Sequence, residues 1–360
     1  MCCASSKDAE AASGEISIMK ALLLEKYGEP RICDVSCPII ADDEVLVRVH
    51  ACAICGSDVH GYDGRSDRRR PPIIMGHEAA GEVAQVGNQV KRYREGDRVV
   101  FNSSLFCGTC SYCNHGRQNL CKSSRVFGVH CAGYKLDGAM AEFVAVPERI
   151  LYHLPKGLDY TLAALAEPFS IALHAVGRTP MGLDETACVI GSGSIGLMLI
   201  KALKAAGCTR VAALDINQAR LAHARAAGAM LTIDTSEPHW QEDWAKVFPQ
   251  GVDHSFEAVG AAQTLNNAID LVKRGGSVTL VGNAAPSGVI DFQKIVLKEL
   301  LLIGCYACAN EYEVALRLMA DKKADVSDIV SVTAPLEEGR KWFDILREGK
   351  QDVVKVVLTL

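Results

Sequence analysis

The sequence predicts a two-domain α/β protein, an irregular β-rich domain joined to a doubly wound parallel sheet. Three observations predict it. The chain has 360 residues, enough for two domains at roughly 100–200 residues each. From about residue 20 to 165, short apolar runs are punctuated by clusters of Gly, Pro, Asn and Asp, the pattern of strands between turns. From about 170 to 305, strand-like and helix-like runs alternate, which builds βαβ units and a parallel sheet.

The elements follow in order. Residues 1–18 are rich in Ala, Ser and acidic side chains without a clean period, the composition of a flexible tail. Met19-Lys20-Ala21-Leu22-Leu23-Leu24 reads as the start of the fold, and Met19 is a candidate initiator. The β-rich part, 19–168, carries strand runs at Val45–His50, Glu82–Val86, Arg98–Phe101 and Ala141–Val146. The second part, 169–305, opens with a buried strand over Ala187–Ile190 and a helix over Ile195–Ala206. A strand at Arg210–Leu214 and a helix at Gln218–Ala227 come next. Strands at Asp253–Val259 and Ser277–Val281 flank a helix over Ala262–Val272. Trp240 and Trp244, four apart, read as one helix face. Residues 306–360 supply one helix, Glu311–Ala320, and a final strand, Val353–Leu360.

Composition excludes several classes. Hydrophobic residues are 49% and charged residues 22%, which excludes a mostly disordered chain. Net charge is −5, so no nucleic-acid surface is expected. No run of 18 apolar residues occurs, so no membrane helix is expected. The first residues lack the basic and apolar regions of a signal peptide. Fifteen cysteines in a chain this long then point to metal binding or catalysis in a cytoplasmic protein.

Gly191-Ser192-Gly193-Ser194-Ile195-Gly196 is G-x-G-x-x-G between a predicted strand and a predicted helix. Gly191 permits the tight turn, Gly193 admits a pyrophosphate, and Gly196 lets helix and strand pack closely. The helix start at Ser194 and Ile195 offers free N–H groups to the phosphates. Asp215 ends the next strand, 19 residues after Gly196, where a carboxylate binds the ribose 2′-OH. It would repel a 2′-phosphate, which favours NAD over NADP. Arg220 lies near enough to blur that preference, although a solvated helix residue is the simpler reading. Val259, Gly260, Val281 and Gly282, at the ends of later strands, complete the candidate cofactor contacts.

Cys107, Cys110, Cys113 and Cys121 form C-x2-C-x2-C-x7-C. Four thiolates within 15 residues close a tetrahedral Zn²⁺ site with no position left for substrate. An iron–sulfur cluster uses related spacings and is the alternative. Cys55 and the pair His77-Glu78 lie about 20 residues apart and together offer a thiolate, an imidazole and a carboxylate, the donors of an open zinc site. Singly, each reads as a core residue. Glu167, at the junction between the two parts, offers a further carboxylate or is simply a helix-start acid.

These motifs, in this order, resemble the zinc-dependent medium-chain dehydrogenase/reductase family over about residues 19–360. The resemblance rests on Cys55-Gly56-Ser57-Asp58-Val59-His60, Gly76-His77-Glu78, the cysteine lobe, Glu167-Pro168 and the Gly191–Gly196 loop. Within the family the chain resembles the sorbitol (polyol) and threonine dehydrogenase branch. The resemblance implies a GroES-like catalytic domain split around a Rossmann domain, so that 306–360 return to the first part. It implies Cys55 and His77 as catalytic zinc ligands, with either Glu78 or Glu167 beside them. It implies that Asp58 orients His77 by accepting its other N–H. Zinc would lower the pKa of a substrate hydroxyl, hydride would leave to the nicotinamide, and the proton would pass through Ser57 and on to His60. His60 as a plain surface-loop residue is the alternative.

The expected reaction is oxidation of a secondary alcohol of a polyol, sugar or sugar alcohol by NAD. Threonine and phosphorylated hexitols are alternative substrates, and a catalytically silent zinc protein is the alternative from another class. Arg65, Arg68, Arg69 and Arg70 form a basic run that either reaches an anionic substrate or is a solvated loop. Cys2, Cys3, Cys33, Cys37, Cys52, Cys131, Cys188, Cys208, Cys305 and Cys308 have no ligand spacing, and most read as small buried hydrophobes. The family implies a homo-oligomer, dimer or tetramer, with the strand near Leu300–Cys305 as a candidate interface.

Overall fold

The computed structural model of the chain describes residues 18–349 and 352–360. The expected flexible tail lies outside the described residues except for Ile18, which already belongs to the first strand, Ile18–Lys26.

The β-rich part is built on a seven-stranded sheet. Glu44–Ala53 lies near its centre and pairs antiparallel with Glu78–Val86 and with Phe143–Pro147. Its alternate residues Val45, Val47, Val49, Ala51 and Ala53 are apolar and buried, the pattern of a strand with one face in the core. The last strand, Lys355–Thr359, pairs antiparallel with the same Glu44–Ala53, with Val357 opposite Ala53 and Thr359 opposite Ala51. The end of the chain therefore rejoins the sheet that the first hundred residues began. After residue 306 the structure has two helices, Tyr312–Ala320 and Gly339–Glu348, and two strands, Val330–Pro335 and Lys355–Thr359. The sequence reading of one helix and one strand missed half of these. Gly339–Glu348 was obscured because Phe343 alone among its large side chains is fully buried, stacked on Tyr62 at 5.2 Å.

The second part is a six-stranded parallel sheet. Its order is Leu231–Asp234, Arg210–Asp215, Thr186–Ile190, Val252–Glu257, Val272–Leu280 and Leu301–Gly304. Numbered along the chain this is 3-2-1-4-5-6, the doubly wound arrangement in which a crevice opens where the order reverses. The alternation of side chains divides the core. Ala187, Val189, Val211 and Ala213 face one side, against helix Ser194–Ala205. Cys188, Ile190, Ala212 and Leu214 face the other, against Trp240, Trp244 and Ile269. The two tryptophans are thus a buried helix face, as their spacing implies. Leu231–Asp234 and helix Phe292–Lys298 are not evident in the sequence, because both are short and only partly buried.

Helix Ala166–Arg178, also absent from the sequence reading, lies between the sheets. Its Phe169 and Ala172 share one core with Ala51, Ala53 and Ala80 of the first sheet and Val189 and Phe256 of the second. Small residues on the first sheet let the helix approach closely. Burial of Phe169 alone stabilises this junction by about 1.5–3 kcal/mol. Among the described residues no helix is long and apolar enough to cross a membrane.

Candidate active site

Cys55 is the residue before helix Gly56–Tyr62, in extended conformation, and its N–H donates to Asp58 Oδ2 at 3.2 Å. Glu78 opens the strand Glu78–Val86 directly opposite Ala53. That register brings His77 and Glu78 beside Cys55. One donor atom from each of Cys55, His77 and Glu78 lies within 4.8 Å of the others. His77 and Glu78 are buried. A thiol, an imidazole and a carboxylate this close are a donor set that suits a zinc ion.

The charges around this cluster are tightly matched. Burial opposes a charge on His77, but Asp58 and Cys55 hold its pKa well above the usual imidazole range. Asp58 is fully buried, yet His77 and Arg69 hold its carboxyl well below the usual range. Asp58 Oδ1 lies 3.5 Å from His77 Nδ1, facing the imidazole. Glu78 is engaged elsewhere as well: Lys355 Nζ donates to both its oxygens, at 3.0 and 2.9 Å. Burial opposes the charge on Lys355, and Glu78 and Cys55 raise its pKa nonetheless. Glu167 lies in the first turn of its helix and outside the Cys55–His77–Glu78 group. Ser103 Oγ donates to its Oε1 at 2.7 Å, and burial pushes its pKa up against the pull of His77.

The arginine run divides: Arg65, Arg68 and Arg70 are exposed, as the solvated-loop alternative has it, whereas Arg69 fits neither alternative. Arg69 is buried, with Nη2 3.0 Å from Asp58 Oδ1 and 3.1 Å from Ser57 Oγ, so it points inward and is not free for a substrate phosphate. Arg65 pairs with Asp63.

The four sulfurs of Cys107, Cys110, Cys113 and Cys121 lie within 4.8 Å of one another. Three of their separations are 3.5, 3.5 and 3.9 Å. A tetrahedron of Zn–S bonds has an edge of about 3.8 Å, so the spacing fits the ion. Backbone N–H groups of Thr109 and Cys110 draw the Cys107 thiol down to about 6, toward the thiolate that metal binding needs. Of the other described cysteines, Cys52, Cys188, Cys208 and Cys308 are buried, but Cys33, Cys37, Cys131 and Cys305 are only partly so. Cys2 and Cys3 lie outside the described residues.

A cleft of about 550 Å³ runs from the Gly191–Gly196 loop to the edge of the Cys55 cluster. Ser192 through Gly196 line it, together with Asn217, Arg220, His60, Arg65 and Lys355. Arg220 is exposed on its helix and also lines the cleft, as does His60. Burial and then Arg65 lower the pKa of His60. Gly191 has φ +93°, and a Cβ on Gly196 would lie 1.8 Å from the Gly191 carbonyl oxygen. Asp215 accepts N–H bonds from Ser192, Ile216 and Asn217 at 2.7, 2.8 and 3.0 Å. Ser192 Oγ is buried in the cleft wall without a partner, an orphan that a bound phosphate would satisfy. Val259, Gly260, Val281 and Gly282 follow the two adjacent strands but are not among the residues lining the cleft. Asn217, Ser103 and Lys355 were not picked out from the sequence as cleft or cluster residues. For Lys355 a signal existed: it is the single charge in Val353-Val354-Lys355-Val356-Val357-Leu358, and lysine is buried only when paired.

Residues 41–156 match the alcohol dehydrogenase GroES-like domain, and 194–321 match the zinc-binding dehydrogenase domain. The sorbitol dehydrogenase of Bacillus subtilis is 32% identical over 345 residues, covering 94% of this chain and 97% of the relative. The L-threonine 3-dehydrogenase of Rhizobium etli is 32% identical over 330 residues, covering 89% and 93%. The structure of 2R,3R-butanediol dehydrogenase from Bacillus subtilis superposes with a TM-score of 0.85 at 30% identity, covering 95% and 99%. Fold, metal clusters, cofactor cleft and relatives agree, and the chain belongs to the zinc-binding medium-chain alcohol dehydrogenase family, enzymes that act on CH–OH donors with NAD(P).

Proposed function

We propose that the protein oxidises a secondary hydroxyl of a polyol, sugar alcohol or sugar, with NAD as acceptor. The observation that carries this reading is the Cys55–His77–Glu78 cluster, half-buried at Cys55 and buried at His77 and Glu78, at the edge of the cofactor cleft, with Glu167 rather than a second cysteine as the further ligand candidate. The reaction converts CH–OH and NAD⁺ into C=O, NADH and a proton. Zinc, when bound, supplies Lewis-acid polarisation of the reacting hydroxyl. Cys55, His77 and Glu78 or Glu167 hold the ion. Asp58 fixes the His77 ring. Ser57 Oγ accepts the substrate proton, and His60 carries it toward solvent along the cleft. Gly191, Gly193, Gly196 and the N–H groups of Ser194 and Ile195 receive the pyrophosphate, and Asp215 receives the ribose hydroxyl.

The sorbitol dehydrogenase relative supports the polyol reading, and the threonine dehydrogenase relative supports L-threonine as a second one. A phosphorylated hexitol loses the support of Arg69. Residues 19–168 and 306–360 form the catalytic unit around a cofactor unit at 169–305. Val289, Phe292, Val296, Leu297 and Leu301 are exposed apolar side chains on and before the edge strand Leu301–Gly304, which favours pairing with a second copy there. No disulfide is formed among the described cysteines, consistent with a cytoplasmic, reducing setting.

The test is turnover of the zinc-loaded protein with sorbitol, xylitol, galactitol, L-threonine, butanediol and phosphorylated hexitols, each with NAD and with NADP. Activity on a polyol with NAD that Cys55→Ser abolishes supports the reading. Turnover confined to L-threonine or to NADP overturns it. Light scattering reads the oligomer.

A further inference from the structure

We propose that Arg69 is a positioning residue for proton transfer, fixing the direction in which the Ser57 hydroxyl can pass its proton. The inference rests on the functional reading above, but its geometry is independent of any substrate. Arg69 is only 4% exposed. Its Nε and Nη2 donate to one oxygen, Asp58 Oδ1, at 3.1 and 3.0 Å. Nη2 also donates to Ser57 Oγ at 3.1 Å. The same Asp58 faces His77 and takes the Cys55 N–H. One guanidinium therefore touches both the proton-accepting hydroxyl and the carboxylate that braces two metal-ligand candidates.

The consequence follows from what each group can do. Arginine only donates, and it stays charged at any pH a protein survives. A serine hydroxyl has two lone pairs and one proton. Arg69 fills one lone pair of Ser57 Oγ. The other remains to accept the proton of the substrate hydroxyl. The Ser57 proton itself cannot go to Arg69, so it must leave on the side of the cofactor cleft. When the alcohol is oxidised, the substrate proton would pass to Ser57 Oγ and the original Ser57 proton would move outward to the cleft. Without Arg69 the hydroxyl loses that contact and is free to rotate.

Room for this arrangement is made at one position. A Cβ on Gly61 would lie 2.0 Å from Arg69 Cγ and 2.4 Å from its Cβ. Gly61 is thus the passage through which the Arg69 side chain enters the core.

The test compares Arg69→Met, Gly61→Ala, Ser57→Ala and the double variant Arg69→Met/Ser57→Ala. In Arg69→Met, kcat is expected to fall about 100-fold with KM within threefold, the scale of a lost acid–base contribution. In the Ser57→Ala background the same change should cost less than threefold, because the hydroxyl it positions is gone. Gly61→Ala keeps the charge but displaces it, and should lose about tenfold. A purely structural Arg69 would give equal losses in both backgrounds, which overturns the proposal. A second readout needs no substrate. Loss of the brace on Asp58 should weaken zinc binding at the Cys55 site about 10–100-fold in chelator competition. If wild type turns over none of the panel, the functional reading fails while this readout still decides whether Arg69 braces the site, and unchanged zinc affinity in Arg69→Met overturns the proposal.

Discussion

Replacing Lys355 by Met keeps much of the side-chain volume and removes a buried cation. Lys355 and Glu78 are 2% and 1% exposed, and the ammonium meets both carboxylate oxygens and the Ile54 carbonyl at 3.3 Å. The variant leaves Glu78 buried without its partner, which costs about 3–5 kcal/mol when a buried pair is broken on one side. Zinc changes the outcome. The Glu78 carboxylate lies within 4.8 Å of the Cys55 and His77 donors, so a bound ion replaces the missing positive charge. The loss should therefore be the full amount in metal-depleted protein and less than half of it in zinc-loaded protein. By linkage, the difference appears as tighter zinc binding, tenfold for each 1.4 kcal/mol or so. Urea unfolding of wild type and Lys355→Met, each depleted and zinc-loaded, measures both quantities. Equal losses in the two metal states, or no loss in the depleted protein, would refute the reasoning.

Three further outcomes are expected. Gly196→Ala places a methyl against the Gly191 carbonyl, so NADH binding followed by fluorescence should weaken at least 100-fold while zinc content stays constant. Cys110→Ser should release one zinc equivalent by elemental analysis and lower the unfolding midpoint, because a structural zinc site contributes folding energy directly. Asp253 is held at about 2, burial opposing and the Lys273 and Thr186 hydrogen bonds prevailing. A depressed carboxylate stabilises the fold above its unfolded value near 3.9, and that part is lost as pH falls toward 2. Asp253→Asn should be less stable at neutral pH and lose less between about pH 4 and 2, read from urea midpoints.

Much of this protein was legible because its motifs are local. The Gly191–Gly196 loop and the four cysteines each occupy fewer than 16 consecutive residues, and their chemistry needs that spacing. Strand Thr186–Ile190 was evident because it is buried on both faces and reads as one apolar run. What stayed hidden depends on distant pairing. Helix Ala166–Arg178 begins with Ala-Glu-Pro-Phe, whose acid and proline suit a first turn, but the helix is buried only because two sheets close around it. Arg69 sits in a run of four arginines that looks like a solvated loop, and only Asp58, 11 residues away, explains why it turns inward. Whether Glu78 or Glu167 serves the metal is a question of partners, Lys355 and Ser103, that no spacing encodes.

The return of the last strand to the first sheet sets a timetable for synthesis. Glu78 and its partner Lys355 are 277 residues apart. At roughly 5–20 residues per second, about 15–55 s separate their emergence from the ribosome. Throughout that interval Ala51, Cys52 and Ala53 lack the partner strand on one edge, and Glu78 has no cation to meet it. The nascent chain therefore cannot finish its reaction centre by folding from the front. Its cofactor sheet, which lies wholly between those two points, is free to form first, and the catalytic half closes only when Lys355–Thr359 has emerged.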